Sequence, residues 1–318
     1  MEPVARRTAL RLAAASVPAA AAGGAVLAAA PASAAARRAP RPVQRIKTAA
    51  ELGRVRLTWE GEAYEPFVDH YAIYGAQKPG FAIGPDTLLT KTVYASFLHD
   101  RMGGRRQNWY YRIVVVDAAG NRSDPSAEVA GHSAESVALS GRPLARVGKF
   151  DHKSLELALA PAGYAQYKTR FPNGVDYTYG EGKPDVDWSY IQPGPADAWA
   201  GGKASRTTFR FNLDAVPAGQ TWLAIWLIDT HASNPGTLLI GINGTAIPEV
   251  KLENGATRGS LEGDATVPGT ALKPSYVELV LPRAALRTGK NAVTIDKKTG
   301  SWHVYDALGV FAALSRRR

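Results

Sequence analysis

Four aromatic residues in the second half of the chain lie among small and polar residues and could bind a sugar ring. They are Trp188, Tyr190, Trp199 and Trp302. The C–H face of a pyranose packs on an indole or phenol ring, while neighbouring polar groups bind its hydroxyls. Arg258 and His303 could add charge-assisted hydrogen bonds to an acidic sugar. These six residues are the predicted carbohydrate-binding candidates.

Core packing is the alternative role for the same aromatic side chains, because tryptophan is highly buried on average in folded proteins. Arg258 could equally brace a loop. Trp222 and Trp226 differ from the candidates, since they lie inside a continuous apolar run and are predicted to be core residues.

Sequence signatures of catalysis and metal binding are missing. The chain has no cysteine, and its six histidines are scattered singly, with no His-Glu-x-x-His motif. It also lacks a Gly-x-Ser-x-Gly elbow, a P-loop and a dinucleotide-binding fingerprint. We therefore predict no catalytic residue, no metal ligand and no cofactor, which argues against a hydrolase or a nucleotide-binding protein.

Structural calcium stays open as an alternative to this prediction. Acidic residues cluster in two loop-like segments, at Glu181, Asp185 and Asp187 and at Glu262 and Asp264. Their spacing matches no calcium-binding loop. Acidic residues in loops are usually solvated, so they are not included among the predicted site residues.

The charge of the chain favours an acidic partner other than nucleic acid. The 318 residues carry a formal net charge of +10, much of it near the two ends of the sequence. Nucleic-acid binding would need a basic stripe within a fold, interleaved with aromatics, and no such block is present. Mild basicity fits an acidic polysaccharide or an anionic cell wall.

Residues 1–36 have the features of an export signal. Arg6 and Arg7 form a basic start, an alanine-rich apolar stretch follows, and Ala32-Ser33-Ala34 is a small-residue cleavage site. The adjacent arginines indicate twin-arginine export from a bacterium. A membrane anchor is disfavoured because glycines and prolines interrupt a weakly hydrophobic segment. We expect cleavage and secretion, with no stable membrane span left afterwards.

The first module is predicted at 51–131, after a linker at 37–50, with order beginning near Leu52. Val55, Leu57 and Trp59 alternate with polar residues, as in a strand with one buried face. With 31 glycines and 21 prolines in the chain, turns are frequent and no helical period is found.

Three segments of this module resemble a fibronectin type III domain. They are residues 57–59, 69–75 and 110–126, the last containing the turn Asp117-Ala118-Ala119-Gly120-Asn121. The resemblance implies a single β-sandwich with Trp59 in its core, usually a spacer or scaffold.

A second linker is predicted at 132–145 and a larger module at 146–315. Residues 222–228 are continuously apolar, as in a strand covered on both faces. Asn243-Gly244 is a strong hairpin signal. Antiparallel strands without a helix-length period predict a jelly-roll β-sandwich of the galactose-binding-like type. The predicted fold class is therefore all-β, a fibronectin type III-like sandwich followed by a jelly roll.

Ordered motifs in the second module resemble the C-terminal carbohydrate-binding-like domain of family-4 polysaccharide lyases, the rhamnogalacturonan lyases. They are Asp176-Tyr177-Thr178-Tyr179-Gly180, Asp187-Trp188-Ser189-Tyr190-Ile191-Gln192, Phe209-Arg210-Phe211, Ile242-Asn243-Gly244, Arg258-Gly259 with Gly263, Leu286-Arg287-Thr288-Gly289-Lys290-Asn291 and Val304-Tyr305-Asp306-Ala307-Leu308. In that family a catalytic β-sandwich precedes the two modules, and the resemblance implies that this chain lacks it. No position here inherits the family's catalytic residues.

The resemblance implies a secreted protein that binds pectin or rhamnogalacturonan and assists a separate lyase. Two alternatives remain open. The chain could itself be a polysaccharide lyase that acts by β-elimination, with a lysine or histidine as the base. It could also be a structural adhesion protein of the cell surface.

Overall fold

The computed structural model describes residues 39–61, 68–259 and 272–314 of the chain. Within these ranges the chain forms eighteen β-strands, three four-residue α-helices and four short 3-10 turns. The all-β fold class predicted from the sequence is confirmed. The predicted export signal at 1–36 lies outside the described residues, as do Glu262 and Asp264 of the second acidic group.

Seven strands form the first module. They are β1 (Gln44–Glu51), β2 (Arg54–Glu60), β3 (Val68–Ala76), β4 (Leu88–Thr92), β5 (Ser96–His99), β6 (Asn108–Asp117) and β7 (Val129–His132), with a 3-10 turn at Pro85–Thr87 before β4. The strand order is β1-β2-β5 in one sheet and β4-β3-β6-β7 in the other. Two antiparallel sheets of three and four strands are the architecture expected of a fibronectin type III-like sandwich.

Inward-facing side chains of β2, β3 and β6 form the core of this module. Leu57, Ile73 and Ile113 are fully buried. Trp59 meets Tyr71 edge to face, with ring centroids 5.3 Å apart, and both are buried. Aromatic pairs in this geometry add stability beyond the area that they bury. The prediction that Trp59 is a core residue is confirmed.

Strand β1 corrects one prediction. It lies almost entirely within the segment 37–50 that was predicted to be a linker, and it pairs with β2 along its length. None of its side chains is fully buried, so the strand carries little hydrophobic pattern of its own. Ordered structure therefore begins before the expected Leu52.

The predicted linker at 132–145 is also structured for most of its length. It contains α1 (Val137–Ser140) and the start of β8 (Arg142–Gly148). The side chain of Ser136 caps α1 by accepting a hydrogen bond from the Ala138 amide, at 3.1 Å. A capping serine of this kind stabilises even a very short helix.

Ten further strands complete the second module. They are β9 (Val175–Thr178), β10 (Ile191–Gln192), β11 (Ser205–Leu213), β12 (Thr221–Thr230), β13 (Thr237–Ile242), β14 (Thr245–Ala246), β15 (Val250–Lys251), β16 (Ser275–Leu281), β17 (Gly289–Lys297) and β18 (His303–Ala312). The helices are α2 (Tyr167–Arg170) and α3 (Pro184–Asp187), and 3-10 turns lie at Gly163–Gln166, Ala198–Ala200 and Arg283–Ala285.

These strands form two facing sheets, as the jelly-roll prediction requires. One has the order β10-β18-β12-β16, with β8 also paired to β18, and the other has the order β14-β13-β17-β11-β9, with β15 paired to β13. All pairings are antiparallel except the parallel one between β9 and β11. Asn243 and Gly244 form the predicted hairpin turn, both with positive φ (51° and 86°), as a two-residue turn of type I′ needs.

Strand β12 is apolar because both of its faces are covered. Leu223 and Ile225 point into the core between the two sheets. Trp226 points the other way, towards the first module, where its indole Nε1 donates to Ser136 Oγ at 3.1 Å. A Cβ on Gly104 would lie 2.2 Å from the Trp226 ring, so only glycine fits there.

The prediction of a strand covered on both faces is confirmed, and so is the core position of Trp226, which is 2% exposed. Trp222 is only half-buried, which corrects the prediction for that residue. Both modules belong to one compact unit that starts at Ala39. No helix in the described part of the chain is long and apolar enough to cross a membrane.

Candidate functional site

Three connections of the second module meet at one end of its sandwich. They are residues 193–204 between β10 and β11, 231–236 between β12 and β13, and 298–302 between β17 and β18, and we call them together the loop end. The Ala196 amide donates to Gly300 O at 3.0 Å, and the Ser301 amide donates to Asn234 O at 2.8 Å. Backbone hydrogen bonds therefore join the three loops.

Close backbone contacts explain the glycines of the loop end. A Cβ on Gly236 would lie 2.0 Å from Thr299 O, and one on Gly194 would lie 2.3 Å from Gly300 O. Gly300 itself has a φ of 76°, in the left-handed region that glycine adopts without strain. The three loops can pack this closely only because these positions carry no side chain.

Trp199 is the one predicted tryptophan that keeps part of its surface exposed in the described structure. It lies in the 3-10 turn Ala198–Ala200 and is half-buried. Its ring meets that of Tyr164, also half-buried, edge to face, with centroids 5.2 Å apart. A half-buried aromatic pair offers a rigid apolar surface at the edge of a polar loop.

Basic side chains lie next to this aromatic pair. Lys168 Cε would be 3.8 Å from a Cβ on Gly201, two residues after Trp199. Lys203 follows on the same loop, and its Nζ donates to Pro172 O at 3.0 Å. Both lysines are exposed, and neither forms an ion pair with a described carboxylate. The pair of rings is thus flanked by unneutralised positive charge.

Two of the other predicted aromatic residues lie in the core instead. Trp188 is 0% exposed and packs edge to face on Tyr177, Phe209 and Tyr305. Tyr190 is 2% exposed. Neither side chain can stack on a sugar at the surface, so the core alternative applies to both. Of their polar sequence neighbours, Ser189 is itself fully buried.

Trp302 and His303 lie at the loop end but below its surface. Trp302 is 3% exposed and contacts the His231 ring, with centroids 5.9 Å apart. His303 begins β18 and is 0% exposed. These two residues therefore also leave the set of surface candidates, because no ligand at the surface can reach them in this structure.

Arg258 remains exposed at the same end of the module. Its neighbour Thr257 forms an isolated bridge with His231, and its amide and hydroxyl both donate to the buried carboxylate of Asp229, at 3.2 and 2.8 Å. These contacts hold the backbone on which Arg258 lies beside the loop end. Of the six predicted residues, Trp199 and Arg258 are thus the two that stay accessible there.

A buried polar cluster lies beneath the loop end, and the sequence reasoning did not find it. The Asp197 carboxylate accepts hydrogen bonds from the Gly194 amide at 2.8 Å and from Ser301 Oγ at 2.5 Å. It therefore ties two of the three loops together. Asp197 is 4% exposed, and such buried charge-assisted hydrogen bonds are among the stronger ones in proteins.

Lys297 is the second charged group of this cluster and is fully buried. Its Nζ donates to Pro235 O in the β12–β13 loop. Burial lowers the pKa of Lys297 to about 7, although the charge of Asp197 acts in the opposite direction. The sequence does contain a signal for this position. Val293, Ile295 and Lys297 are spaced two residues apart on β17, which places all three on its inward face.

His303 and Gln192 complete the cluster. Burial, and secondarily the charge of Lys297, lowers the pKa of His303 well below its usual value. Neither ring nitrogen of His303 has a hydrogen-bond partner among the described residues. Gln192 donates to Ile295 O at 3.1 Å and accepts from Tyr305 Oη at 2.6 Å, so it joins the two sheets.

The outer face of the sheet that contains β11 is the other polar surface of this module. Arg206 binds Asp296 and Arg210 binds Asp176, each through two hydrogen bonds of 2.6–2.8 Å. Both of these arginines are therefore neutralised by a partner. An acidic ligand would have to compete with a carboxylate that is already in place.

No described group of three or more acidic or histidine side chains could hold a metal ion. In the first acidic segment, Asp187 Oδ2 accepts a hydrogen bond from the Lys183 amide at 2.8 Å, and Glu181 and Asp185 are exposed. The second acidic segment lies outside the described residues. Structural calcium therefore stays an untested alternative.

Sequence comparison identifies a family for the second module. A profile described as "CBM-like: Polysaccharide lyase family 4, domain III" matches residues 143–310, just over half of the chain. No curated protein matches the sequence.

Solved structures show similarity to parts of the chain. A β-1,2-glucanase from Parabacteroides distasonis is 20% identical over 32% of this chain and 14% of its own (TM-score 0.26). A human fibronectin type III domain is 12% identical over 32% of this chain and 94% of its own (TM-score 0.25). A family 35 carbohydrate-binding module from an environmental isolate is 14% identical over 35% and 71% (TM-score 0.22). The match to the glucanase thus spans less than a sixth of that enzyme.

Proposed function

Because the chain belongs to the CBM-like family that forms domain III of family-4 polysaccharide lyases, we propose that it binds an acidic, pectin-like polysaccharide through the loop end. The binding surface in this proposal is the aromatic pair Trp199 and Tyr164, together with Lys168 and Lys203. Arg258 lies at the same end and adds a further positive charge.

The half-buried ring of Trp199 beside two unneutralised lysines is the observation that carries the proposal. An indole ring packs on the apolar face of a pyranose, and an ammonium group binds the carboxylate of a uronic acid. Together they match a sugar that has one apolar face and one negative charge. On the outer face of the β11 sheet, by contrast, Arg206 and Arg210 already bind aspartates.

The buried cluster supports this surface from below. Asp197 fixes the loop that carries Trp199, through the Gly194 amide and Ser301. Binding costs less free energy when the loops that form the binding surface are already held in place. We assign Asp197 a positioning role, since it is buried and does not reach the ligand.

Secretion and an accessory role form the wider part of the proposal. The export signal at 1–36 and the positive net charge support a protein that meets its polysaccharide outside the cell. A separate lyase is the proposed partner, which this chain would keep close to the polymer. The family match and the sequence motifs support pectin or rhamnogalacturonan as the ligand in this proposal.

The lyase alternative has one feature in its favour, the lowered pKa of Lys297. A lysine with a pKa near 7 can act as a general base. Lys297 is fully buried, however, and its Nζ already donates to Pro235 O. An increase in the ultraviolet absorbance of unsaturated uronates, seen at high protein load on rhamnogalacturonan, would support the lyase alternative over a purely binding role.

Affinity electrophoresis of the full chain through gels that contain single polysaccharides tests the proposed binding. We expect polygalacturonate and rhamnogalacturonan to retard the protein, and Trp199→Ala to remove most of the retardation. Losing one aromatic stacking contact costs about 1–2 kcal/mol, or roughly a tenfold weaker affinity.

Tyr179→Ala is the matched control for this experiment. Tyr179 is an exposed aromatic residue of the same module (43% exposed) that lies next to the β11 sheet. We expect this variant to bind like the wild type. Equal retardation of wild type and Trp199→Ala, or no retardation by any acidic polysaccharide, would contradict the proposal.

A further inference from the structure

A cavity of about 410 Å³ opens on the outer face of the four-stranded sheet in the first module. Its floor consists of Ala72, Tyr74 and Val116, which are all buried. Ile83 and Leu88 form an apolar wall, and Leu88 is 36% exposed. This volume lies in the range of ligand sites in proteins, about 300–1,000 Å³.

Strand register brings basic residues to the edge of this cavity. Lys91 on β4 pairs directly with Ala72 on β3, and Arg122 forms a bridge with Val116 at the end of β6. Directly paired residues of neighbouring strands share one face of the sheet. His70 lies two residues before Ala72 and thus on the same face. No acidic residue is among the described residues that line the cavity.

The charges of Lys91 and Arg122 are not balanced by described carboxylates. Arg122 donates to the phenol oxygen of Tyr74 at 2.6 Å, and neither residue is part of an ion pair in the described ranges. Another cation of the same sheet face, Arg112, is by contrast paired with Glu128 at 3.3 Å. His70 Nδ1 lies 2.6 Å from the carboxylate of Asp69.

We propose that this cavity is a second binding site, which takes the carboxylate-bearing sugar of an acidic polysaccharide. The class of ligand in this inference rests on the proposed function. The location of the site rests on the cavity and on its two cations that have no ion-pair partner in the described ranges. A fibronectin type III-like module, usually a spacer, then takes part in binding.

The chemistry of the cavity matches a uronate. The hydrogen bond to Tyr74 fixes the planar guanidinium of Arg122, whose other N–H groups stay available for two parallel hydrogen bonds to a carboxylate. Lys91 adds a second positive charge from the neighbouring strand. The apolar wall formed by Ile83 and Leu88 suits the C–H face of the sugar ring. A neutral sugar would leave both cations without a partner.

Titration calorimetry of the full chain with a galacturonate trimer at about 0.15 M salt, where distant charges are screened, tests this inference. We expect the double variant Lys91→Ala, Arg122→Ala to bind about tenfold more weakly than the wild type, because two charge-assisted contacts are lost. Lys91→Glu changes one exposed side chain, leaves the Arg122–Tyr74 hydrogen bond intact, and should weaken binding in the same direction.

The matched control is the double variant Lys78→Ala, Arg105→Ala. It removes two exposed positive charges from the same module, at positions that do not line the cavity. We expect its affinity to stay within about twofold of the wild type, since distant surface charges are largely screened. Equal losses in the two double variants would overturn the inference, because net charge alone would then explain the effect.

Comparing Trp199→Ala with the Lys91, Arg122 double variant in the same assay distinguishes the two proposals. If Trp199→Ala abolishes binding and the Lys91, Arg122 variant binds like the wild type, the second site is overturned while the loop end stands. If the Lys91, Arg122 variant loses binding and Trp199→Ala does not, the inference stands and the loop end falls. Additive losses support both sites, and absence of any binding to the acidic trimer overturns both.

Discussion

Lys297 lies in an environment very different from that of an exposed lysine. It lies inside the second module, and burial lowers its pKa to about 7. In an unfolded chain the same group titrates at about 10.4. Between about pH 7 and pH 10.4 the lysine is protonated in the unfolded state but neutral in the folded state. The stability of the protein therefore rises with pH across this range. Below pH 7 both states are protonated and the cost of burying the charge is at its largest.

The stability of Lys297→Met relative to the wild type should therefore be greatest below pH 7, by a margin that falls as the pH approaches 10. Methionine has no charge to desolvate, but it also removes the hydrogen bond to Pro235 O and the charge beside Asp197, so the prediction concerns the pH trend of the margin. Urea unfolding of both proteins at several pH values measures this margin. Lys298→Met, at an exposed neighbour, should show no such trend. If the stability difference between Lys297→Met and the wild type did not depend on pH, Lys297 would not titrate as described.

At the residue scale, the sequence did not separate exposed from buried aromatic residues. Trp199, Trp188 and Trp302 all lie among polar neighbours, but Trp199 keeps part of its surface exposed whereas Trp188 and Trp302 are buried. Sequence neighbours do not reveal which way a turn directs a side chain. The role of Asp197 was equally hidden, because it depends on Ser301, which is 104 residues away in the sequence.

At the scale of elements, the contact between β16 and α1 joins the two modules. Glu278 on β16 accepts hydrogen bonds from Ser136 Oγ at 2.5 Å and from the Val137 amide at 3.0 Å. Burial raises the pKa of Glu278, although the hydrogen bonds from Ser136 and from the amides of α1 oppose that shift. This carboxylate therefore binds the start of α1 and holds the chain between the modules.

Glu278→Ala should destabilise the protein by about 1–3 kcal/mol, because two donors lose their partner in a half-buried place. The segment 132–141 should also be cleaved faster in limited proteolysis. Val280→Ala changes a residue of the same strand face that is 42% exposed and should have little effect. Unchanged proteolysis in Glu278→Ala would contradict the role given to this contact.

Strands with their own hydrophobic pattern were predictable, and strands that depend on a partner were not. β2, β11 and β17 alternate buried and exposed residues, and the Asn243-Gly244 turn has the residues that its backbone needs. β1 was missed because pairing with β2, rather than its own side chains, holds it in place. The parallel pair of β9 and β11 was missed for a related reason, since pairing direction is set by the path of the chain between strands.

At the scale of the whole molecule, the two modules form one body with a shared interface. The interface includes contacts of Trp226, Tyr276 and Glu278 of the second module with Ser136, Gly53 and Gly104. It also includes the ion pair between Arg54 and Glu253, at 2.6 Å. The sequence predicted two modules joined by a linker, whereas the structure has strand, helix and side-chain contacts at that place. A long polysaccharide that reaches both proposed sites would gain affinity from binding at two points.

The central claim is that acidic polysaccharide binds at the loop end, and hydrogen–deuterium exchange of the full chain with and without polygalacturonate tests it most directly. The account predicts slower exchange at residues 163–170 and 194–203, around Trp199, when the polymer is present. Protection confined to β9 and β11 on the paired-charge face, or no protection anywhere in the second module, would contradict it.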